Sequence, residues 1–283
     1  MAEYVRPPAV AGQFYAGSAE TLHREIEDCY RHELGPGKLP EVNKSGPRQI
    51  VGLVSPHAGY MYSGPPAACG FYELARDGRP ELVVIIGPSH GPGRSSAVLQ
   101  AEGAWATPLG QTPINTDIAT ALLESCADLS EGTRELEYEH SLEVQLPFLQ
   151  HLYGEALSIV PIMMFDQSWE TAASLAAAIA QVCQQRDVVI IASTDMTHQQ
   201  PPPVAREQDL SLVKYMEELD PQGLLAERAR RGITMCGYGP TATMLAAAEQ
   251  LGAQRGKLIT YSNSGDVQPM PTVVGYVSLK VVR

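Results

Sequence analysis

Apolar residues in this chain gather into short runs rich in Val and Ile, and three of the runs lead into a histidine through small or turn-forming residues. The first, Ile50-Val51-Gly52-Leu53-Val54, passes through Ser55-Pro56 to His57. The second, Leu82-Val83-Val84-Ile85-Ile86, passes through Gly87-Pro88-Ser89 to His90. The third, Val188-Val189-Ile190-Ile191-Ala192, passes through Ser193-Thr194-Asp195-Met196-Thr197 to His198. Runs this short and this β-branched predict buried strands of a parallel sheet. Elsewhere the spacing turns helical. Leu22, Ile26 and Tyr30 form one stripe of a helix over 18–31, with Ser18 placed to cap it. Further helices are predicted over 67–76, 115–125, 142–152, 169–184, 209–219, 221–230 and 240–251, the last framed by Pro240 and Gly252. Strands are predicted over 97–99, 157–164, 257–261 and 273–282. Pro161 argues that the second of these lies near a sheet edge, and the alternation in the last argues for one exposed face. Residues 6–15 are expected to run extended over the surface, 35–47 to form a loop and 105–110 a turn. This order of elements predicts one α/β domain over 1–283: three layers, with a mostly parallel or mixed central sheet flanked by helices.

In open α/β sheets ligands gather outside the carboxyl ends of the strands. Imidazoles delivered there by neighbouring strands would build one metal-binding cleft, because imidazole suits iron, copper and zinc. His57 and His90 are the best ligand candidates; the competing reading of each is a histidine bonded to a loop carbonyl. Cys236 stands just before the helix at 240, where a helix N-terminus favours a thiolate; the competing reading is a small buried residue. Asp195 could orient a histidine, take a proton or bind a metal, or simply cap its loop. His140 and Glu143 share a face if the helix has begun there, which makes them supporting groups or an ordinary polar helix start. His23, His32 and His151 lie on helical stretches without companions and read as surface or structural residues.

Composition narrows the classes. A chain of 283 residues at 44% hydrophobic has material for a large core. Its net charge of −12 argues against nonspecific binding to nucleic acid or to anionic membrane. The 5 cysteines are scattered without a CxxC pair, which suits a reducing compartment. No segment has the hydropathy of a leader or a membrane span, so the expected location is the cytoplasm. P-loop and HExxH motifs are absent. Gly87-Pro88-Ser89-His90-Gly91 imitates a phosphate loop, but its proline removes an amide donor.

Several stretches together resemble the MEMO family. They are Arg6-Pro7-Pro8-Ala9-Val10-Ala11-Gly12-Gln13-Phe14-Tyr15, Pro56-His57-Ala58-Gly59-Tyr60, Gly87-Pro88-Ser89-His90, Glu139-His140-Ser141-Leu142-Glu143, Leu146-Pro147, Ser193-Thr194-Asp195-Met196-Thr197-His198 and Cys236-Gly237. The founding member mediates receptor-driven cell motility in animals. Microbial relatives are labelled protein B of the AmmeMemoRadiSam system, which implies a functional link to a radical-SAM protein. The resemblance implies a fold like that of class III extradiol ring-cleaving dioxygenases, with His57, His90 and Cys236 as the metal ligands. Asp195 and His198 match further cleft residues of the family. Many members continue Cys-Gly with Arg-His-Pro, whereas Tyr238-Gly239-Pro240 stands here, so one cleft histidine is missing. Animal members also carry aromatic and cysteine residues where Met196 and Thr197 stand.

Two functions follow. One is a non-haem oxidoreductase using Fe(II), or else Cu(I), with His198 or His140 as acid/base and Asp195 orienting. The other is a metal-binding interaction protein that keeps the cleft for a peptide or partner without catalysis. A zinc hydrolase with Glu143 or Asp195 as base ranks third.

Overall fold

A computed structural model describes residues 4–154 and 157–283. Its strands are β1 (Val5–Arg6), β2 (Ile50–Ser55), β3 (Leu82–Pro88), β4 (Ala97–Leu99), β5 (Ala104–Thr107), β6 (Gly110–Pro113), β7 (Leu129–Glu131), β8 (Ile159–Met164), β9 (Val188–Ser193), β10 (His198–Gln200), β11 (Arg255–Asn263) and β12 (Val273–Val282). The helices are α1 (Ala19–Arg31), α2 (Tyr60–Asp77), α3 (Thr116–Ser125), α4 (Thr133–Leu136), α5 (Leu146–Tyr153), α6 (Trp169–Cys183), α7 (Pro202–Glu217), α8 (Pro221–Arg231), α9 (Tyr238–Gln250) and α10 (Ser264–Val267).

Nine strands form the main sheet, in the order β10-β12-β2-β9-β3-β8-β4-β7 with β11 on the free side of β12. Its centre, β2-β9-β3-β8, is parallel, while β12 and β4 join it antiparallel, so the sheet is mixed. Every residue of β2, β3, β8 and β9 is buried, as continuous apolar runs require when helices cover both faces. Neighbouring positions on β2 identify the two layers. A side chain at Gly52 would strike Met244 of α9, whereas Leu53 lies against Gly70 of α2 on the other side. Helices α1 and α5 pack with α2, and α6 and α8 pack with α9.

Several expectations need correction. Helix α2 begins at Tyr60, not at 67, and carries Pro65 and Pro66 inside it. The two missing N–H groups would have served the carbonyls of Met61 and Tyr62, in a first turn that is exposed to half-buried. Helix α7 likewise begins at Pro202 rather than 209, because prolines at the first two positions forfeit donors that have no helical partner anyway. Strand β8 is interior, paired with β3 and β4. Pro161 is tolerated because the β4 pairing stops at Leu99–Ile162, one residue short of it. The 105–110 segment is a β5–β6 hairpin turning at Pro108-Leu109, with Trp105 fully buried. Strand β12 has no exposed residue, because α2, α7 and α10 pack against it.

The N-terminal segment does run over the surface, with Pro7, Pro8, Gly12 and Gln13 exposed, but it turns after Val10 and is anchored at buried Arg6 and Tyr15. Strand β1 pairs with β5, and Arg6 is fully buried with its guanidinium 4.1 Å above the Trp105 ring. Arg6 donates to the carbonyls of Leu136 (2.8 Å) and Glu139 (2.7 Å) and to Glu143 Oε2 (2.6 Å). Glu143 also accepts from the amides of Ala9 and Val10 and from the Tyr15 hydroxyl. A buried charge needs such a full set of partners, and here that set pins the 136–143 loop in place.

Candidate metal centre

Strands β2, β9 and β3 lie side by side and end together. Their carboxyl edge carries His57 after Ser55, Asp195 after Ser193 and His90 after Pro88, each two positions past its strand. Cys236 comes to the same edge from the loop before α9. One ligand atom from each of His57, His90 and Cys236 lies within 4.8 Å of the others, and Cys236 Sγ is 3.2 Å from His57 Nε2. The three residues, distant in sequence, meet at one point.

Proton accounting fixes which nitrogen His57 presents. Ser193 Oγ donates its single hydrogen to the Ser141 carbonyl and accepts one from Gln145 Nε2. His57 Nδ1, 3.0 Å away, must therefore be the donor to Ser193 Oγ. That tautomer leaves a lone pair on Nε2, facing Cys236. Burial, with the neighbouring His140 and His90, pushes the His57 pKa far down, so the ring is neutral and able to ligate.

His90 is held in the same manner by Glu139. Nδ1 lies 3.0 Å from Glu139 Oε1 and the His90 amide donates to Oε2 at 2.8 Å, which leaves Nε2 as the free nitrogen. Burial works against the Glu139 carboxylate, but the His90 bond and charge and the amides of Ser141 and His90 outweigh it and hold the pKa at about 2. For His90 the effect is reciprocal: burial lowers the pKa, and the bond to Glu139 more than restores it. Backing each ligand imidazole through Nδ1 is how metal sites orient histidine.

His140 completes a cluster of three imidazoles. Its ring centroid is 4.4 Å from that of His90 and 5.5 Å from that of His57, with Phe14 packed on it at 4.7 Å. Burial lowers its pKa. It stands in the loop before the 3₁₀ turn Glu143–Gln145, so the helix has not begun at His140. Glu143, committed to Arg6 and the N-terminal segment, takes no part in this cluster.

Cys236 corrects one expectation. Proximity to the start of α9 does not lower its pKa; burial, reinforced by Asp195, pushes the thiol up to about 12. The sulfur instead receives the Asp195 amide at 3.2 Å. The next residue, Gly237, is required by close approach: a Cβ there would fall 2.4 Å from the Ser193 carbonyl oxygen. Asp195 Oδ1 accepts from the His57 amide at 2.7 Å, and burial raises this carboxyl to about 6. Asp195 thus holds the backbone of both His57 and Cys236. His198 opens β10 with Nδ1 2.9 Å from the Thr234 carbonyl, so Nε2 is free; its charge bears on His57 and Asp195.

Sequence reasoning missed Ser193, Gln145 and Glu139 as the groups that orient the ligands. The available signal was polar residues closing otherwise apolar runs, as Ser55 and Ser193 do.

The chain as a whole matches a known family. A family model described as Memo-like protein fits residues 6–280. The chain belongs to the Memo family. A MEMO1 family protein of Methanopyrus kandleri is 44% identical over 277 residues, covering 97% of this chain and 98% of that one. A MEMO1 family protein of Thermotoga neapolitana is 42% identical over 277 residues, with 97% and 98% covered. Among solved structures, an uncharacterized protein of Escherichia coli K12 is similar with a TM-score of 0.54 at 16% identity, covering 82% of this chain and all of that one. That likeness concerns the fold alone. Among the described residues no helix is long and apolar enough to cross a membrane.

Proposed function

We propose that this Memo-family chain is a non-haem metal-dependent oxidoreductase holding Fe(II), or else Cu(I), on His57, His90 and Cys236. One observation carries the reading: Cys236 Sγ lies 3.2 Å from a His57 Nε2 whose lone pair is freed by the Ser193 network. The donor set fits a transition metal, since two imidazole nitrogens and a sulfur converge on one point. When bound, the metal supplies Lewis-acid and one-electron chemistry at that point.

The chain's own residues do the rest. Cys236 gives up its proton on loading, which makes metal uptake proton-linked. His57 and His90 hold their orientation through Ser193 and Glu139. His198 offers a free Nε2 on one side of the cleft and His140 a neutral ring on the other, suiting both to proton transfer. Asp195 positions the two backbones that carry His57 and Cys236. The radical-SAM partner implied by microbial relatives extends this proposal to a redox pathway.

The test is elemental analysis of protein purified without oxygen, with O₂ uptake followed on a panel of catechols. Iron bound by the wild type, absent from His57→Ala and Cys236→Ala, together with O₂ consumption, supports the enzyme. Iron retained at the wild-type level in both variants removes the ligand set. A second reading, a non-catalytic interaction protein, draws on Tyr138, 81% exposed beside Glu139 at the rim, and on the liability of a thiol next to O₂. Bound metal without turnover of any substrate favours it.

A further inference from the structure

Helices α1 and α5 pack against each other and bring together residues that looked solitary in the sequence. His23 and Glu27 stand one turn apart on α1, and His151 lies on α5. The imidazole rings of His23 and His151 meet edge to face with centroids 4.9 Å apart. One ligand atom from each of His23, Glu27 and His151 lies within 4.8 Å of the others.

Two further details point to a ligand. His151 Nδ1 is shut off from solvent and has no hydrogen-bond partner among the described residues, a costly state for a polar atom. Burial lowers the His151 pKa, with His23 adding to it, so the ring is neutral and carries a lone pair. Glu27 divides its oxygens: Oε2 takes Arg31 at 3.0 Å, while Oε1 turns toward His23 Nδ1 at 3.9 Å.

We propose that His23, Glu27 and His151 form a second metal site, for a borderline dication of the Zn(II) type. Two imidazoles and a carboxylate with water in the fourth position are an ordinary zinc donor set. A tetrahedral ion with bonds of about 2.0–2.2 Å places its ligand atoms roughly 3.3 Å apart, so the trio must close by about 1 Å. His23, with a side chain 57% exposed, has the freedom to supply that movement. A surface recess of about 630 Å³ lined in part by His23 and Glu27 gives the ion and its water access. With no sulfur donor, the site selects against Cu(I) and differs in kind from the thiol-containing centre. An ion here cross-links α1, which follows the segment whose Phe14 covers His140, to α5, which follows the turn carrying Glu143.

The test is Co(II) titration of the metal-free full chain, reading d–d absorption and thiolate-to-metal charge transfer separately. The wild type is expected to take two equivalents, only one of them with the sulfur band. His151→Gln and the exposed-residue variant His23→Gln each lose the sulfur-free equivalent and keep the other. Cys236→Ser does the reverse. A wild type that takes only a sulfur-bearing equivalent, or a sulfur-free equivalent that survives in both histidine variants, overturns the proposal. Loss of the sulfur band alone from the wild type would sink the His57–His90–Cys236 reading and leave this one standing.

Discussion

Ser193→Ala is the most informative single change, because it removes no metal ligand and acts only on the orientation of one. The Ser193 hydroxyl joins three partners: it donates to Ser141 O, accepts from Gln145 Nε2 at 2.9 Å and accepts from His57 Nδ1 at 3.0 Å. Gln145 Nε2 keeps a second acceptor in the Pro56 carbonyl at 2.9 Å and suffers little. The Ser141 carbonyl and His57 Nδ1–H are left buried and unpartnered, at about 1–3 kcal/mol each. Chemical denaturation should therefore show a loss on the order of 2–6 kcal/mol. Metal affinity should fall as well, since His57 is no longer confined to the tautomer with its lone pair on Nε2. Removing such an orienting partner typically costs about 10–100-fold. Competition titration against a chelator measures this, with far-UV circular dichroism confirming the fold. An affinity within twofold of wild type would refute the claim that Ser193 sets the ligating tautomer of His57.

Three further outcomes follow from the packing. Gly237→Ala places a Cβ 2.4 Å from the Ser193 carbonyl oxygen, a backbone atom with little room to move, so thermal melts should show marked destabilisation and titration a loss of metal binding. Glu143→Gln leaves the buried Arg6 charge without its carboxylate and should cost about 3 kcal/mol in denaturant unfolding. Asp209 gives a pH signature: burial raises its carboxyl to about 6 against bonds from Thr197 and Tyr261. A carboxyl that holds its proton more tightly folded than unfolded favours the folded state at low pH, and that advantage fades as pH rises from about 4 through 6. Asp209→Asn can keep the bond from the Thr197 amide on Oδ1 and reverse the other, its Nδ2–H donating to the Tyr261 hydroxyl, so its stability should fall less over that window than the wild type's, by on the order of 2–3 kcal/mol. Parallel stability curves for the two proteins would contradict this.

The central strands were legible because β2, β3 and β9 are buried on both faces, which leaves their apolar runs unbroken. Their common end made His57 and His90 legible too, through position alone. What stayed hidden depends on partners far apart in the chain. His90 and Glu139 are separated by 49 positions, His57 and Ser193 by 136, and Arg6 and Glu143 by 137, and no local pattern encodes such pairs. His23 and His151 looked solitary for the same reason. Proline misled in two directions. Pro161 suggested an edge for an interior strand, and Pro65-Pro66 suggested a helix start where a helix was already under way. The Cys236 pKa was misjudged because a helix terminus acts over one turn, whereas desolvation acts on the whole side chain.

X-ray absorption at the metal edge of protein reconstituted with one equivalent of metal tests the central claim most directly. The account predicts a coordination shell with one sulfur at about 2.3 Å and imidazole nitrogens near 2.0–2.1 Å, the sulfur vanishing in Cys236→Ser. A shell made only of nitrogen and oxygen in the wild type would contradict it.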